Sequence, residues 1–179
     1  MKFVRTIVLI ACLAGIAIGQ DQPVPPELQI ELLQKLLQFN RTIASKQPLV
    51  IGVAFQSPFR SSLLTKDALL AAGTRYGTSL RLVPIDIGDG SSVADIISNR
   101  SIDVLYIAPL RAFPIESILK QTRDSHVLTV TGVPEYVELG VTVGIGVRNN
   151  RPEIIINLGA MKEEAGLIDV LARMKKSTQ

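Results

Sequence analysis

Residues 102–109 read IDVLYIAP, a continuous apolar run of strand length that follows the polar residues 99–101 and ends in a proline. Similar runs stand at residues 49–55 (LVIGVAF), 80–87 (LRLVPIDI), 127–131 (VLTVT) and 140–147 (GVTVGIGV), and helix-like segments separate most of them. Strands that are apolar on both faces are typical of a parallel sheet covered by helices. The pattern therefore predicts an α/β fold: a single three-layer α/β/α domain with a mostly parallel sheet of five to six strands, in which residues 102–109 form a central strand.

The last third of the chain predicts a different kind of strand pairing. Residues 141–147 alternate like a strand, residues 148–151 (RNNR) are typical of a turn, and residues 153–158 form a second apolar run. Two strands joined by so short a link must pair antiparallel, so the sheet should end in a C-terminal antiparallel hairpin. Gly144 and Gly146 lie inside the first of these strands, where glycines indicate close packing or a bulge rather than a phosphate loop.

Amphipathic helices are predicted to cover the sheet. The segment from Leu28 to Phe39 has leucines at helical spacing, and Pro25 and Pro26 before it suit the first turn of a helix. Residues 61–76 predict another helix that ends near Gly73 or Gly77, and residues 159–176 predict a closing one. The expected buried side of the helix at residues 61–76 consists of Leu63, Leu64, Leu69, Leu70 and Ala72.

The first 19 residues are expected to be a signal peptide, which predicts export to the periplasm. Lys2 and Arg5 form a short basic start, residues 7–18 are apolar, and Ala17 and Gly19 are the small residues that precede a cleavage site. The apolar segment is too short to span a bilayer comfortably. Cleavage after Gly19 would leave residues 20–26 as a tether and residues 27–179 as the folded domain.

Charge and cysteine content restrict the function of the exported domain. The chain has 19 basic and 16 acidic residues, and the leader takes two basic residues and no acid, which leaves 17 against 16. A formal charge of about +1 lacks the long-range attraction that nucleic-acid binding needs. The single cysteine, Cys12, also leaves with the leader, so no disulfide is expected. The lone His126 has no clustered ligands, and neither a metal nor a cofactor is predicted.

Binding residues are expected where the parallel strands end. In an open parallel sheet the natural crevice lies beyond the carboxyl ends of the strands. On this rule the candidates are Gln56, Ser57 and Arg60 after the first strand, Ser91 and Ser92 after the second, and Arg111 after the third. Arginines near helix starts favour an anionic group such as a carboxylate. For Ser91 or Ser92 a helix N-cap, and for the whole set ordinary loop polarity, remain open as alternatives.

The order of these segments resembles the YfiR-like family of periplasmic proteins. The resemblance rests on LLQKLLQFN (residues 32–40), LVIGVAF, IDVLYIAP and HVLTVTG (residues 126–132), and above all on GVTVGIGVRNNRPEIIINLGAMKEEAGL (residues 140–167). It implies regulation rather than catalysis, because the best-understood members hold a membrane diguanylate cyclase inactive by contacting its periplasmic sensor region. Other members occur near sensor kinases. Characterised members carry disulfides that tune the switch, and a chain without Cys12 departs from them.

The resulting expectation is a regulatory or sensory binding protein, not an enzyme, that contacts a membrane-bound cyclase or kinase. A small anionic ligand at the same edge and a second copy of the chain stay open as further partners. The alternative is a small solute-binding component of an uptake system, although two-lobed carriers need a second domain for which this chain has no room. A third alternative is an exported hydrolase that uses Asp86 or Asp89.

Overall fold

A six-stranded sheet forms the centre of the structure, a computed structural model that describes residues 23–38, 41–88, 92–111 and 114–163. The strands are β1 (Leu49–Phe55), β2 (Leu80–Asp86), β3 (Val104–Ile107), β4 (Leu128–Thr131), β5 (Val143–Arg148) and β6 (Arg151–Ile156). Their order across the sheet is β2-β1-β3-β4-β5-β6. All neighbours pair parallel except β5 and β6, which pair antiparallel. The predicted α/β class, the central strand and the terminal hairpin are confirmed.

Helices cover both faces of this sheet. They are α1 (Pro26–Leu37), α2 (Arg41–Ala44), α3 (Arg60–Gly73), α4 (Val93–Arg100), α5 (Ile115–Asp124), α6 (Glu135–Glu138) and α7 (Leu158–Glu163), with a 3-10 segment (Thr74–Ser79) between α3 and β2. One apolar cluster joins α1 and α3 to one face, and a second cluster joins α4 and α5 to the other. These two layers of side chains give the predicted three-layer arrangement, and we refer to them as the α1/α3 face and the α4/α5 face.

The central strand β3 shows why its sequence is apolar throughout. Successive side chains of a strand point to opposite faces. Val104 and Tyr106 therefore belong to the cluster on the α1/α3 face, and Leu105 and Ile107 belong to the cluster on the α4/α5 face. Burying one such aliphatic side chain contributes about 1.5–3 kcal/mol. A strand that is buried on both sides has no position where a charged residue would be favourable.

Helix α1 packs on the sheet through one stripe of side chains. Ile30, Leu33 and Leu37 repeat at three- and four-residue intervals, and each is buried. Pro25 is the N-cap, Pro26 occupies the first turn, and Glu27 places a negative charge at the positive end of the helix.

The β5–β6 hairpin is closed by a two-residue turn. Asn149 and Asn150 have φ angles of 51° and 59°. Positive φ at both central positions is the requirement of a type I′ turn, and asparagine tolerates it better than most residues. The glycines of β5 serve close packing, as predicted: a Cβ at Gly144 would lie 2.5 Å from Val137 Cγ2 on α6.

Some local predictions were wrong or lie outside the described residues. Leu64 is 55% exposed, whereas Ser62 is fully buried, because the Ser62 hydroxyl accepts a hydrogen bond from the backbone of Gln56 and turns that side of α3 inward. Helix α3 ends at Gly73, the first of the two predicted ends, and the residues beyond it form a 3-10 segment (Thr74–Ser79). Phe39 and residues 164–179, which include most of the predicted closing helix, are outside the described part of the chain.

Candidate functional site

The C-terminal edge of the parallel strands carries most of the predicted binding residues. Gln56 directly follows β1, and its side-chain Oε1 accepts a hydrogen bond of 2.7 Å from the backbone N–H of Arg111, which lies after β3. The backbone N–H of Gln56 donates to Ser62 Oγ on α3 at 2.9 Å. One glutamine therefore connects the loops that follow two neighbouring strands, and it ties the backbone of Arg111 to the loop that precedes α3.

Ser57 and Arg60 belong to the same corner of the edge. The backbone N–H of Ser57 lies 3.3 Å from Asp86 Oδ1 at the end of β2, and the same carboxylate oxygen accepts the N–H of Gly88 at 2.9 Å. Arg60 is the first residue of α3 and is exposed. The N-cap position of α3, Phe59, offers no side-chain hydrogen bond. Arg60 thus lies at the positive end of a helix, and Arg111, which is also exposed, belongs to the loop that Gln56 bonds. A helix N-terminus and exposed arginines both favour an anion.

Ser92 has a structural contact of its own. Its hydroxyl oxygen accepts a hydrogen bond of 3.3 Å from the N–H of Asp95, which makes Ser92 the N-cap of α4. The Ser92 hydroxyl also lies 3.5 Å from Gln121 Oε1 on α5, and that oxygen accepts the N–H of Ala94 at 3.1 Å. The contacts of Ser92 therefore connect α4 with α5. Ser91, the other predicted serine, lies outside the described residues.

A notch opens on the far side of the same edge, where β4 stops before β5 does. The pairing between the two strands consists of Val130 with Val143 and Thr131 with Gly144. Strand β5 continues to Arg148 and there pairs, in the described part of the chain, with β6 alone, whereas the chain after Thr131 turns away toward α6. Among the described residues, no strand therefore covers this side of β5 from Ile145 onward.

The hydrogen-bond pattern of the hairpin decides which backbone groups face this notch. The N–H of Asn157 donates to the carbonyl oxygen of Thr142 at 2.9 Å, so the residues of β5 bonded to β6 are those at two-residue steps from Thr142, namely 144, 146 and 148. Val143, Ile145 and Val147 direct their backbone groups to the other side. Within the described residues, the N–H and C=O of Val147 have no hydrogen-bond partner.

The notch encloses a cavity of about 400 Å³. Its walls come from the segment before α1, the loops after β3 and β4, and the hairpin: Pro23, Val24, Pro109, Gly132, Val133, Pro134, Glu135, Ile145, Gly146, Val147, Glu153 and Ile155. The lining is largely apolar with two carboxylates and, among the described residues, no lysine or arginine. Glu153 is ion-paired with Arg148 at 3.0 Å, whereas Glu135 forms no ion pair within the described residues.

A buried polar chain holds one wall of the notch in place. The Tyr106 hydroxyl donates to Gln29 Oε1 at 2.6 Å, and Gln29 Nε2 donates to the carbonyl oxygen of Val24 at 2.7 Å. The backbone N–H of Gly132 donates to the same Tyr106 oxygen. Burial raises the pKa of Tyr106 well above its usual range, and the Gly132 hydrogen bond opposes that rise only in part. Tyr106 is therefore a neutral donor that ties β3, α1 and the loop after β4 together.

The sequence interpretation missed this notch and the polar chain behind it. It found the edge of the sheet and the residues around Gln56, but it gave neither Gln29 nor Tyr106 a role. The available signals were a tyrosine in an otherwise aliphatic strand, and a glutamine four residues before Leu33, on the apolar stripe of its helix. Each of these residues has its partner far away in the sequence.

Comparison with protein families gives the chain its relatives. A family model described as YfiR/HmsC-like matches residues 26–167, which is most of the chain. The chain belongs to the YfiR/HmsC-like family. This match confirms the resemblance that the sequence indicated. A comparison with curated proteins finds no match.

Solved structures show the same fold at low sequence identity. A conserved domain protein from Vibrio cholerae O1 biovar El Tor superposes with a TM-score of 0.59 at 16% identity, over 83% of this chain and 58% of that one. The ABC domain in complex with L-Trp from Streptococcus pneumonia gives a TM-score of 0.51 at 11% identity, over 84% of this chain and 46% of that one. The chain spans about half the length of these proteins, and the likeness concerns the fold alone.

Proposed function

We propose that this protein is an exported regulatory or sensory binding protein that controls a membrane-bound signalling enzyme, a diguanylate cyclase or a sensor kinase, by direct contact. The observation that carries the proposal is the YfiR/HmsC-like family match over residues 26–167. Characterised members of the YfiR-like family are periplasmic regulators of diguanylate cyclases. At this level the family supports a regulator over an enzyme.

The C-terminal edge of the sheet supports a contact function. Arg60 is exposed at the start of α3 and Arg111 is exposed in the loop after β3, while the notch along β5 presents apolar side chains and backbone groups to the outside. In the described part of the chain, no group of three or more His, Cys, Asp or Glu residues is placed to hold a metal ion. The two exposed arginines and the notch are the surfaces of this edge that we propose for binding.

The proposed location is the periplasm, with residues 1–19 as a signal peptide that is removed on export. This proposal rests on the basic and apolar pattern of those residues and on the family. Residues 1–22 are outside the described part. Among the residues that are described, no helix is long and apolar enough to cross a membrane.

Regulation without a thiol requires a surface that binds its partners differently in two states. We place a small anionic ligand, such as a carboxylate, between Arg60 and Arg111, where it would change the loops that Gln56 joins. The uptake-carrier alternative gains nothing from the L-Trp complex among the structural neighbours, because that protein shares 11% identity with this chain and shows the fold alone.

The direct test is deletion of the gene in the organism that encodes it, followed by measurement of cellular cyclic di-GMP. A repressor of a diguanylate cyclase should give an increased level on deletion, and wild-type protein should restore the original level. The matched control lacks residues 1–19, so that an added start methionine directly precedes Gln20. This version contains the same folded domain but is not exported.

The outcome distinguishes the proposals. Restoration by the exported form alone supports both the location and the function. An increase that disappears when one membrane cyclase gene is also deleted identifies the target. An unchanged cyclic di-GMP level, together with unchanged phosphorylation of every sensor kinase encoded nearby, would refute regulation of a membrane signalling enzyme.

A further inference from the structure

We propose that the uncovered side of β5 accepts an extended segment of the partner protein as an added β-strand, and that this segment carries a lysine or arginine that faces Glu135. The inference rests on the proposed function for the existence of a protein partner, and it adds the mode of binding and the chemistry of the bound segment. The place of the added strand is where a longer β4 would run, beyond Thr131.

The backbone of Val147 supplies the ladder for such a strand. Its N–H and C=O face the notch, as the pairing of β5 with β6 requires, and neither has a partner within the described residues. Pro152 stands opposite Val147 in β6 and has no backbone N–H to donate. This agrees with Val147 and Pro152 being a pair of the hairpin that is not hydrogen-bonded. An exposed row of backbone donors and acceptors is the template that strand addition uses.

The notch has the dimensions of a short strand. A neighbouring strand lies about 4.8 Å away, and each residue advances about 3.3 Å along it. Residues 145–148 therefore offer roughly 10–13 Å of free edge, and the cavity of about 400 Å³ lies along it. The walls are Val24 on one side and Pro134 on the other, both apolar. They would contact the alternating side chains of the added segment.

Charge determines which segment fits. Glu135 and Glu153 line the cavity, and no basic residue among the described ones does. Glu153 already has Arg148 as its partner, so Glu135 is the carboxylate that remains without a cation in the described structure. A lysine or arginine on the bound segment would complete that pair, and an acidic segment would be repelled.

The test uses the protein from Gln20 to its C-terminus and three labelled heptapeptides, read by fluorescence anisotropy. TKTKTKT places every lysine on one face of an extended strand, TETETET reverses the charge, and TKPKPKT keeps the lysines but removes backbone N–H groups that a ladder needs. We expect TKTKTKT to bind about tenfold more tightly than either of the others. It differs from TKPKPKT by one or two net hydrogen bonds, and from TETETET by one ion pair that a repulsion replaces.

Variants locate the binding to β5. Val147→Pro removes the N–H that faces the notch and should weaken TKTKTKT binding about tenfold, whereas Val147→Ala keeps the N–H and should change it less than threefold. Glu135→Gln should weaken binding about threefold and lower its salt dependence. In the wild-type protein, hydrogen exchange at the Val147 amide should slow on adding the peptide, which tests the site without relying on a proline variant that folds.

Three outcomes would overturn the inference. Equal binding of TKTKTKT and TKPKPKT would show charge attraction without a strand. Peptide binding that appears only after residues 20–22 are removed would assign the notch to the segment before Pro23. A dimer that Val147→Pro dissociates would assign it to a second copy.

The peptide assay contains no cyclase, so it stays informative if the cyclic di-GMP experiment fails. Conversely, repression by a Val147→Pro protein that no longer binds peptide would sink this inference alone.

Discussion

Replacing Tyr106 with phenylalanine tests how the notch is held together. The substitution keeps the ring that packs in the core and removes only the hydroxyl. That hydroxyl donates to Gln29 Oε1 at 2.6 Å and accepts the N–H of Gly132. Tyr106 is 3% exposed and Gln29 is 7% exposed, so water cannot replace the lost bonds without opening the core. A buried acceptor on α1 and a donor after β4 would both lose a partner.

The expected loss follows from the cost of an unsatisfied buried group. Leaving one such group without a partner costs about 1–3 kcal/mol. Gln29 keeps its other hydrogen bond, from Nε2 to Val24, and Gly132 is only half-buried, so we expect a total near the middle of that range, about 2 kcal/mol. In a domain of this size, the same loss lowers the melting temperature by about 4–8 °C.

The assay is urea unfolding followed by circular dichroism, on the single variants Tyr106→Phe and Gln29→Met and on the double variant. Methionine fills a volume similar to that of glutamine without its polar groups. If the two side chains act through their mutual bond, the double variant loses about 1 kcal/mol less than the sum of the singles. A Tyr106→Phe loss under about 0.5 kcal/mol, or additivity within about 0.5 kcal/mol, would refute this reasoning.

Three further predictions concern pH and local packing. The folded protein holds the Tyr106 proton more tightly than the unfolded chain does. The free energy of unfolding should therefore be unaffected by this group below about pH 10 and should fall as the pH rises further. A Tyr106→Phe protein in which the free energy of unfolding falls equally steeply at alkaline pH would contradict this. Ser92→Ala should cost about 1 kcal/mol in urea unfolding and Ser92→Gly only a few tenths, and equal losses would argue against the cap. Gly144→Ala should cost about 1–3 kcal/mol because its Cβ would lie 2.5 Å from Val137 Cγ2; Val137→Ala should recover part of that loss, and a thermal melt of the double variant checks it.

Local patterns were sufficient to predict the strands and their directions. Strand β1 occupies the run at residues 49–55, because seven consecutive apolar residues can only be satisfied between two helical layers. The hairpin was predictable because the link at residues 148–151 is too short for a crossover. In both cases the signal that permits the prediction is contained in a few consecutive residues.

Helix faces were less predictable, because the neighbours of a helix determine which side is buried. Leu64 is apolar and lies at suitable spacing, yet Ser62 is the buried residue on that part of α3. The cause is a contact with Gln56, which lies in a preceding loop and not in the helix. Periodicity describes the helix alone, so it cannot reveal that a buried hydroxyl will be satisfied from outside.

The notch was invisible in the sequence for a related reason. It exists because β4 stops pairing with β5 at Thr131, and strand register is a property of two segments together. The Tyr106–Gln29 bond spans 77 positions of sequence, and it holds Val24 at the wall of the cavity. A strand added along β5 would contact that wall, so its binding would be coupled through Gln29 to the start of α1. Such coupling would give a domain without cysteines a physical route from an occupied edge to its N-terminal segment.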